Sequence, residues 1–167
     1  QRVREKNLTL TTNHVFPKNR YLRCDSRRVE RILINVLNNA VKYTPAGGTI
    51  TWNSRVETQP GQSSVIHEIA DTGVGMSPEF LHHLYEAFSQ EENSLSRQEG
   101  GTGLGLAIVR EIAEIHGGHA SLGPNPKERG ALARVVFPRA AEAEPGKGRP
   151  RRGRSPVGFL SRLSRHQ

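Results

Sequence analysis

Asn35-Val36-Leu37-Asn38-Asn39-Ala40-Val41-Lys42-Tyr43-Thr44 carries two patterns at once. Its apolar residues continue a stripe that starts upstream: Val29, Ile32, Leu33, Val36, Leu37, Ala40 and Val41 recur at steps of three and four. That period predicts one amphipathic helix from Ser26 to Tyr43. Asp25 stands where an N-cap is needed, and Thr44-Pro45-Ala46-Gly47-Gly48 ends the pattern. Asn35, Asn39 and Lys42 lie on one face beside the stripe, at spacings of four and three. Asparagine is a mediocre helix former, so two on one face cost helix stability without obvious return. A carboxamide oxygen suits a hard cation and an ammonium suits phosphate oxygens. A merely solvated polar face fits the same residues equally well.

Working outward, Leu8 to Thr12 and Arg20 to Cys24 are short alternating runs that predict two edge-type strands. Thr49 to Val56 and Ser64 to Ala70 predict two more, joined by the turn Gln59-Pro60-Gly61-Gln62. Asp71 follows directly, before Gly73 and Gly75, so its carboxylate sits at a strand end where the backbone turns sharply. A carboxylate there can accept a hydrogen bond from an exocyclic amine such as adenine's; read alone, an Asp capping its own turn is the favoured account. Ser77-Pro78-Glu79 opens a short helix reaching Phe88, and Ser89 to Gly101 is polar and aperiodic, a loop. Helical spacing resumes from Gly103 to His116 and stops at Gly117-Gly118. Gly101, Gly103 and Gly105 run straight into that helix, exposing amide groups near its positive end, which is a phosphate site in form. The spacing matches neither the dinucleotide fingerprint nor the P-loop. His119 to Leu122 and Ala131 to Phe137 are the last strands, and Pro138 closes the domain. The order predicts an α+β fold, a two-layer sandwich whose mixed sheet is covered on one face by helices.

The length, 167 residues with 34% hydrophobic content, allows one domain and a tail. No run of 18 apolar residues and no signal peptide is visible. The single cysteine, Cys24, excludes a disulfide scaffold and fits a reducing cytoplasm. A net charge of +8 raises nucleic acid as a partner, yet residues 139–167 hold eight Arg or Lys against Glu142 and Glu144. That surplus of six leaves two for the rest, so the basicity belongs to a Pro-, Gly- and Arg-rich tail with little to bury, and nucleic acid is not the expected partner.

Taken together, the Asn face, the strand-end Asp, the polar lid and the glycine-rich helix start resemble, in that order, the N, G1, F and G2 boxes of sensor histidine kinase ATP-binding domains. These belong with gyrase, mismatch-repair ATPases and heat-shock chaperones in the Bergerat-fold superfamily. The resemblance runs from about Leu8 to Pro138. Leu84-Tyr85-Glu86-Ala87-Phe88-Ser89-Gln90 looks like the F box, and Ser94-Leu95-Ser96-Arg97 with Gly100-Gly101-Thr102-Gly103-Leu104-Gly105-Leu106 looks like the lid and G2 box of hybrid-type kinases. It implies that Asn39 ligates Mg²⁺, with Asn35 assisting, and that Lys42 contacts phosphate. It further implies that Tyr43 lies along the nucleotide, that Asp71 reads the adenine amine, that Gly73 and Gly75 let the backbone approach the base, and that Met76 and Phe88 belong to the ATP site. Gly101, Thr102, Gly103, Leu104 and Gly105 would hold the phosphates, and Arg97 would meet the γ-phosphate.

The same resemblance implies a division into an end of a connection to absent dimerisation helices (1–7), the ATP-binding catalytic domain (8–138) and the tail (139–167). In hydrolases of the superfamily a glutamate stands at the position of Asn35; an amide cannot accept a proton, which favours transfer of the γ-phosphoryl group over hydrolysis. The implied acceptor is a histidine on a separate dimerisation domain, with a response-regulator receiver domain downstream, in the cytoplasm, any membrane link lying in the parent protein. None of His14, His67, His82, His83, His116, His119 or His166 has the surroundings of such an acceptor. Ala131 departs from the small hydroxyl residue usual there, and Tyr85 from the commoner Phe. Two rival readings are an anti-sigma-type serine kinase, opposed by the lid sequence, and a non-catalytic nucleotide-binding module.

Overall fold

The computed structural model of the protein describes residues 2–16, 24–60, 62–77, 79, 81 and 105–138. Among the described residues, three helices, α1 (Arg2–Glu5), α2 (Ser26–Tyr43) and α3 (Gly105–Ile115), accompany five strands, β1 (Thr9–Val15), β2 (Thr49–Gln59), β3 (Gln62–Asp71), β4 (His119–Pro124) and β5 (Ala131–Pro138). The sheet runs β1-β2-β3-β5-β4. β1 and β2 are parallel and every other pairing is antiparallel, so the sheet is mixed. Parallel neighbours need a crossover, and α2 supplies it, lying over one face of the sheet between β1 and β2. This is the α+β two-layer arrangement that the order of elements predicts.

α2 has the bounds its period predicts. Asp25 accepts at Oδ1 from the N–H groups of Arg27 (3.0 Å) and Arg28 (3.3 Å), satisfying two of the orphan donors at the helix start. Ile32, Leu33, Val36, Leu37 and Ala40 are buried on the stripe and meet Ile50, Trp52, Ile69, Ala133, Val135 and Phe137 of the sheet and Val109, Ile112 and Ala113 of α3. Trp52 and Phe137 are the largest side chains buried completely, and each contributes about 2–3 kcal/mol of apolar burial. A row of rings crosses the sheet beneath the helices: His14 meets Trp52 edge-on at 4.8 Å, and Trp52, His67, Phe137 and His116 follow at 6.0 to 6.3 Å. Burial, with His14 nearby, pushes the His67 imidazole down to about 4, so it sits neutral in the core with Nδ1 bonded to Ser54 Oγ at 2.8 Å. On the opposite face Arg55 pairs with Glu57 and Glu68, and Arg134 adds weaker contacts to both, a polar surface matching the alternation of β2 and β3.

Several elements differ from the sequence reading. β1 extends to Val15 because Asn13, His14 and Val15 pair with Asn53, Ser54 and Arg55, although they do not alternate in polarity. Of the run predicted as a second edge strand, Arg20 to Arg23 lie outside the described residues and Cys24 is a bend. Burial and the adjacent Asp25 charge raise the Cys24 thiol, so it is a poor nucleophile. Residues 2–5 are helical, and Val3 packs against the core. α3 ends as predicted: Gly117, at φ 70°, donates to Glu114 and Gly118 donates to Ala113. His116 then donates from Nδ1 to the Ile112 oxygen (2.8 Å), since a carbonyl only accepts, leaving Nε2 to accept from the Asp25 N–H (3.3 Å). That one ring ties the end of α3 to the start of α2. No helix among the described residues is long and apolar enough to cross a membrane.

Candidate functional site

β3 lies between β2 and β5 and is antiparallel to both, so its C-terminal residue, Asp71, meets the first residues of its two neighbours. α2 ends over the same end of the strands, because the Thr44–Gly48 connection leads directly into β2. The topology therefore brings the end of the Asn-bearing helix to the strand-end carboxylate.

Asp71 is 8% exposed. Its Oδ1 accepts from the N–H of Gly73 (2.8 Å) and the N–H of Ala131 (3.1 Å). Both bonds fall on one oxygen, and no bond from the described residues is directed at Oδ2. Burial raises the Asp71 carboxyl above its ordinary value, and the two amide bonds oppose that without cancelling it. The main-chain oxygen of Asp71 accepts from Asn125 Nδ2 at 3.1 Å, and Asn125 also closes its own turn by donating from its N–H to Gly130. Gly130 has φ 125°, and a Cβ there would collide with the Asp71 main chain. Only glycine allows the β4–β5 turn to come this close.

The loop after Asp71 is held to α2. Val74 donates to the Tyr43 oxygen at 3.2 Å, and a Cβ on Gly73 would lie 2.6 Å from that same oxygen. Gly73 thus has no room for a side chain between Tyr43 and Asp71. Gly75 adopts φ 77°, and Gly75 and Met76 are half-buried beyond it. Thr72 Oγ1 accepts from the Thr49 N–H at 2.9 Å, fastening the loop to the start of β2.

On α2, Asn35, Asn39, Lys42 and Tyr43 are all half-buried. Lys42 Nζ stands 4.7 Å from the centre of the Tyr43 ring. A Cβ on Gly105 would lie 3.9 Å from Asn39 Nδ2, so the first residue of α3 abuts the Asn face. The structure therefore brings Asn39, Lys42, Tyr43, Asp71, Gly73 and Gly105 around one end of the central strands, with Asn35 a turn further back on α2. Phe88, Arg97, Gly101, Thr102, Gly103 and Leu104 lie outside the described residues.

Among the described residues no three His, Cys, Asp or Glu side chains converge, and Asn35 and Asn39 stand one turn apart on α2 with amide oxygens to offer. Mg²⁺ keeps several waters and takes few protein ligands beside phosphate oxygens, so Asn39 with Asn35 fits it. Sequence reasoning missed Asn125, Gly130, the Ala131 amide and Val74. Their contacts with Asp71 or Tyr43 span 31 to 60 residues, and only a glycine immediately before a strand hinted at one of them.

Comparison with known proteins bears on these features. Residues 24–141 match the family described as histidine kinase-, DNA gyrase B-, and HSP90-like ATPase. Over 138 residues, 83% of the chain, the sequence is 36% identical to the circadian input-output histidine kinase CikA of Synechococcus elongatus. It is 37% identical over 114 residues, 68% of the chain, to the autoinducer 2 sensor kinase/phosphatase LuxQ of Vibrio cholerae. The chain spans only 18% and 13% of those two proteins. Among solved structures, a mycobacterial sensor histidine kinase, MprB, superimposes with a TM-score of 0.67 at 27% identity over 83% of this chain and 88% of that one. Full-length ShkA in complex with AMPPNP gives a TM-score of 0.67 at 29% identity, over 85% of this chain and 28% of that one.

Proposed function

This chain belongs to the histidine kinase-, DNA gyrase B- and HSP90-like ATPase family, as a domain of the sensor histidine kinase kind, and from that premise we propose that it binds Mg-ATP and donates the γ-phosphoryl group to a histidine on a separate dimerisation domain. The observation that carries this reading is the Asp71 carboxylate, one oxygen tied to two backbone amides and the other meeting no bond from the described residues, beside the Asn face of α2. A ligand donor such as the adenine exocyclic amine would pair with that second oxygen, a hydrogen bond to a charged acceptor.

Tyr43 and the 72–76 loop border the base, and Lys42 faces the phosphates. Asn39 and Asn35 would hold Mg²⁺, which neutralises the developing charge on the transferred phosphoryl group. The amides from Gly101 to Gly105 and Arg97 complete the phosphate contacts. Asn35 offers no carboxylate to activate water, so the site orients the γ-phosphoryl group for another nucleophile and hydrolyses it slowly. The division is residues 1–7 as the end of a connection, 8–138 as the catalytic domain and 139–167 as a basic tail. The downstream partner is a response-regulator receiver domain in a cytoplasmic two-component system.

Calorimetric titration of the chain with ATP and Mg²⁺, followed by incubation with γ-labelled ATP alone, tests the reading. Binding without self-labelling is expected, because no histidine here has acceptor surroundings; robust self-phosphorylation, or no binding, would refute it.

A further inference from the structure

The last four carbonyls of an α-helix have no partner within the helix and must find one elsewhere. At the end of α2 each is met. Ala40 accepts from the Thr44 N–H (3.0 Å) and from Thr44 Oγ1 (2.6 Å), and Tyr43 accepts from Val74 across the loop. Val41 and Lys42 are met by Lys6, whose Nζ lies 3.1 Å and 2.8 Å from their oxygens and 3.4 Å from that of Thr44. An ammonium has three N–H donors, and three carbonyls surround this one. A cation also opposes the negative end of the helix dipole.

Lys6 is itself held in place. α1 ends with Asn7 at φ 50°, its N–H donating to Arg4 (2.9 Å) while Leu8 donates to Val3 (2.8 Å), the paired bonds of a Schellman turn. Val3 and Leu8 pack on the core beneath it. The Lys6 oxygen accepts from the Gly47 N–H at 2.9 Å, so main chain and side chain grip the 44–48 connection from two sides. We propose that Lys6 is a positioning residue for the nucleotide site: through the last turn of α2 it sets Asn39, Lys42 and Tyr43 against the loop that follows Asp71. This rests on reading that face as the nucleotide site. Since Tyr43 passes its oxygen to Val74, loosening the last turn of α2 loosens the Gly73–Met76 loop as well. Nucleotide affinity and the docking of α1 are therefore coupled, and the coupling is reciprocal.

The test uses the whole chain with ATP and Mg²⁺ in three forms, unaltered, Lys6→Met and Lys6→Arg. Affinity is read by calorimetry and main-chain amide hydrogen exchange without nucleotide. Lys6→Met keeps the stem and removes the donors, and is expected to weaken Mg-ATP binding about fivefold, the scale of a lost cation at a helix C-terminus. Lys6→Arg recovers at least half of that loss. Exchange in Lys6→Met quickens at Thr44 and Val74 while Ile69 and Val135 keep their rates. Unchanged affinity in Lys6→Met, or Lys6→Arg binding as poorly as Lys6→Met, overturns the proposal. So does exchange that quickens equally in β3 and β5, which marks general destabilisation. Absence of Mg-ATP binding by the unaltered chain overturns the nucleotide reading, and this inference with it, whereas loss confined to Lys6→Met leaves that reading standing.

Discussion

Replacing Asp71 by Asn separates what the carboxylate does for the fold from what it does for a ligand. Both backbone bonds land on Oδ1, from Gly73 at 2.8 Å and Ala131 at 3.1 Å, and a carboxamide oxygen in that place keeps them. At Oδ2 the change is an inversion, because an NH₂ donor would face an amine donor. Losing a charged acceptor and opposing two donors costs about 1.5–3 kcal/mol of binding, roughly tenfold to a hundredfold in Kd. Stability moves the other way. The folded protein holds the Asp71 proton more readily than the unfolded chain, because burial raises the carboxyl above its ordinary value. Ionising it therefore costs stability as pH rises through and above the ordinary aspartate value, and that cost persists at pH 7. Asp71→Asn removes it. The expected result at pH 7 is a Tm equal to or above that of the unaltered protein together with the large loss of Mg-ATP affinity, and a Tm difference that shrinks toward pH 4. A variant that binds Mg-ATP as well as the original, or that melts several degrees lower, would refute the reasoning.

Two further outcomes follow from the same structure. With its imidazole pushed down to about 4 by burial, His67 takes up a proton on unfolding below the ordinary histidine value of 6.5, so Tm falls as pH drops from 6.5 toward 4. Lowered by its own burial, His14 adds to that slope, and in His67→Gln thermal melts over the range should flatten; an unchanged slope assigns the pH dependence elsewhere. Gly130→Ala places a methyl against the Asp71 main chain at a φ of 125° and costs about 2–3 kcal/mol. Chemical denaturation measures that loss, Mg-ATP affinity should fall with it, and retention of both would show that the β4–β5 turn can withdraw from Asp71 at little cost.

How much could be read beforehand depended on the range of the interactions. α2 was legible from end to end because one 18-residue element repeats its apolar stripe over about four turns and carries Asp25 at its start. The β2–β3 hairpin was legible because Gln59 and Gln62 pair across a two-residue turn. α1 was not, since four residues are too few to show a period and its stop signal is a single Asn in a left-handed conformation. Within the site, the residues on α2 and at the end of β3 showed in the sequence, while what holds Asp71 did not. Asn125 and Ala131 reach it from 54 and 60 positions away, and the Ala131 contact is made by the backbone. That also explains why the missing hydroxyl at Ala131 leaves this bond intact: any residue with an N–H there can donate it. Lys6 gave no signal at all, because a lysine before a strand reads as a solvated charge until α2 is seen ending beside it.

The central claim, that this chain hands a γ-phosphoryl group to a histidine, is met most directly by mixing it with γ-labelled ATP, Mg²⁺ and a separately prepared histidine-kinase dimerisation domain and testing the labelled product in acid. Acid-labile label on the dimerisation domain, abolished by Asn39→Ala, is the predicted result. Mg-ATP bound with no label moved, or label that survives acid, would contradict it.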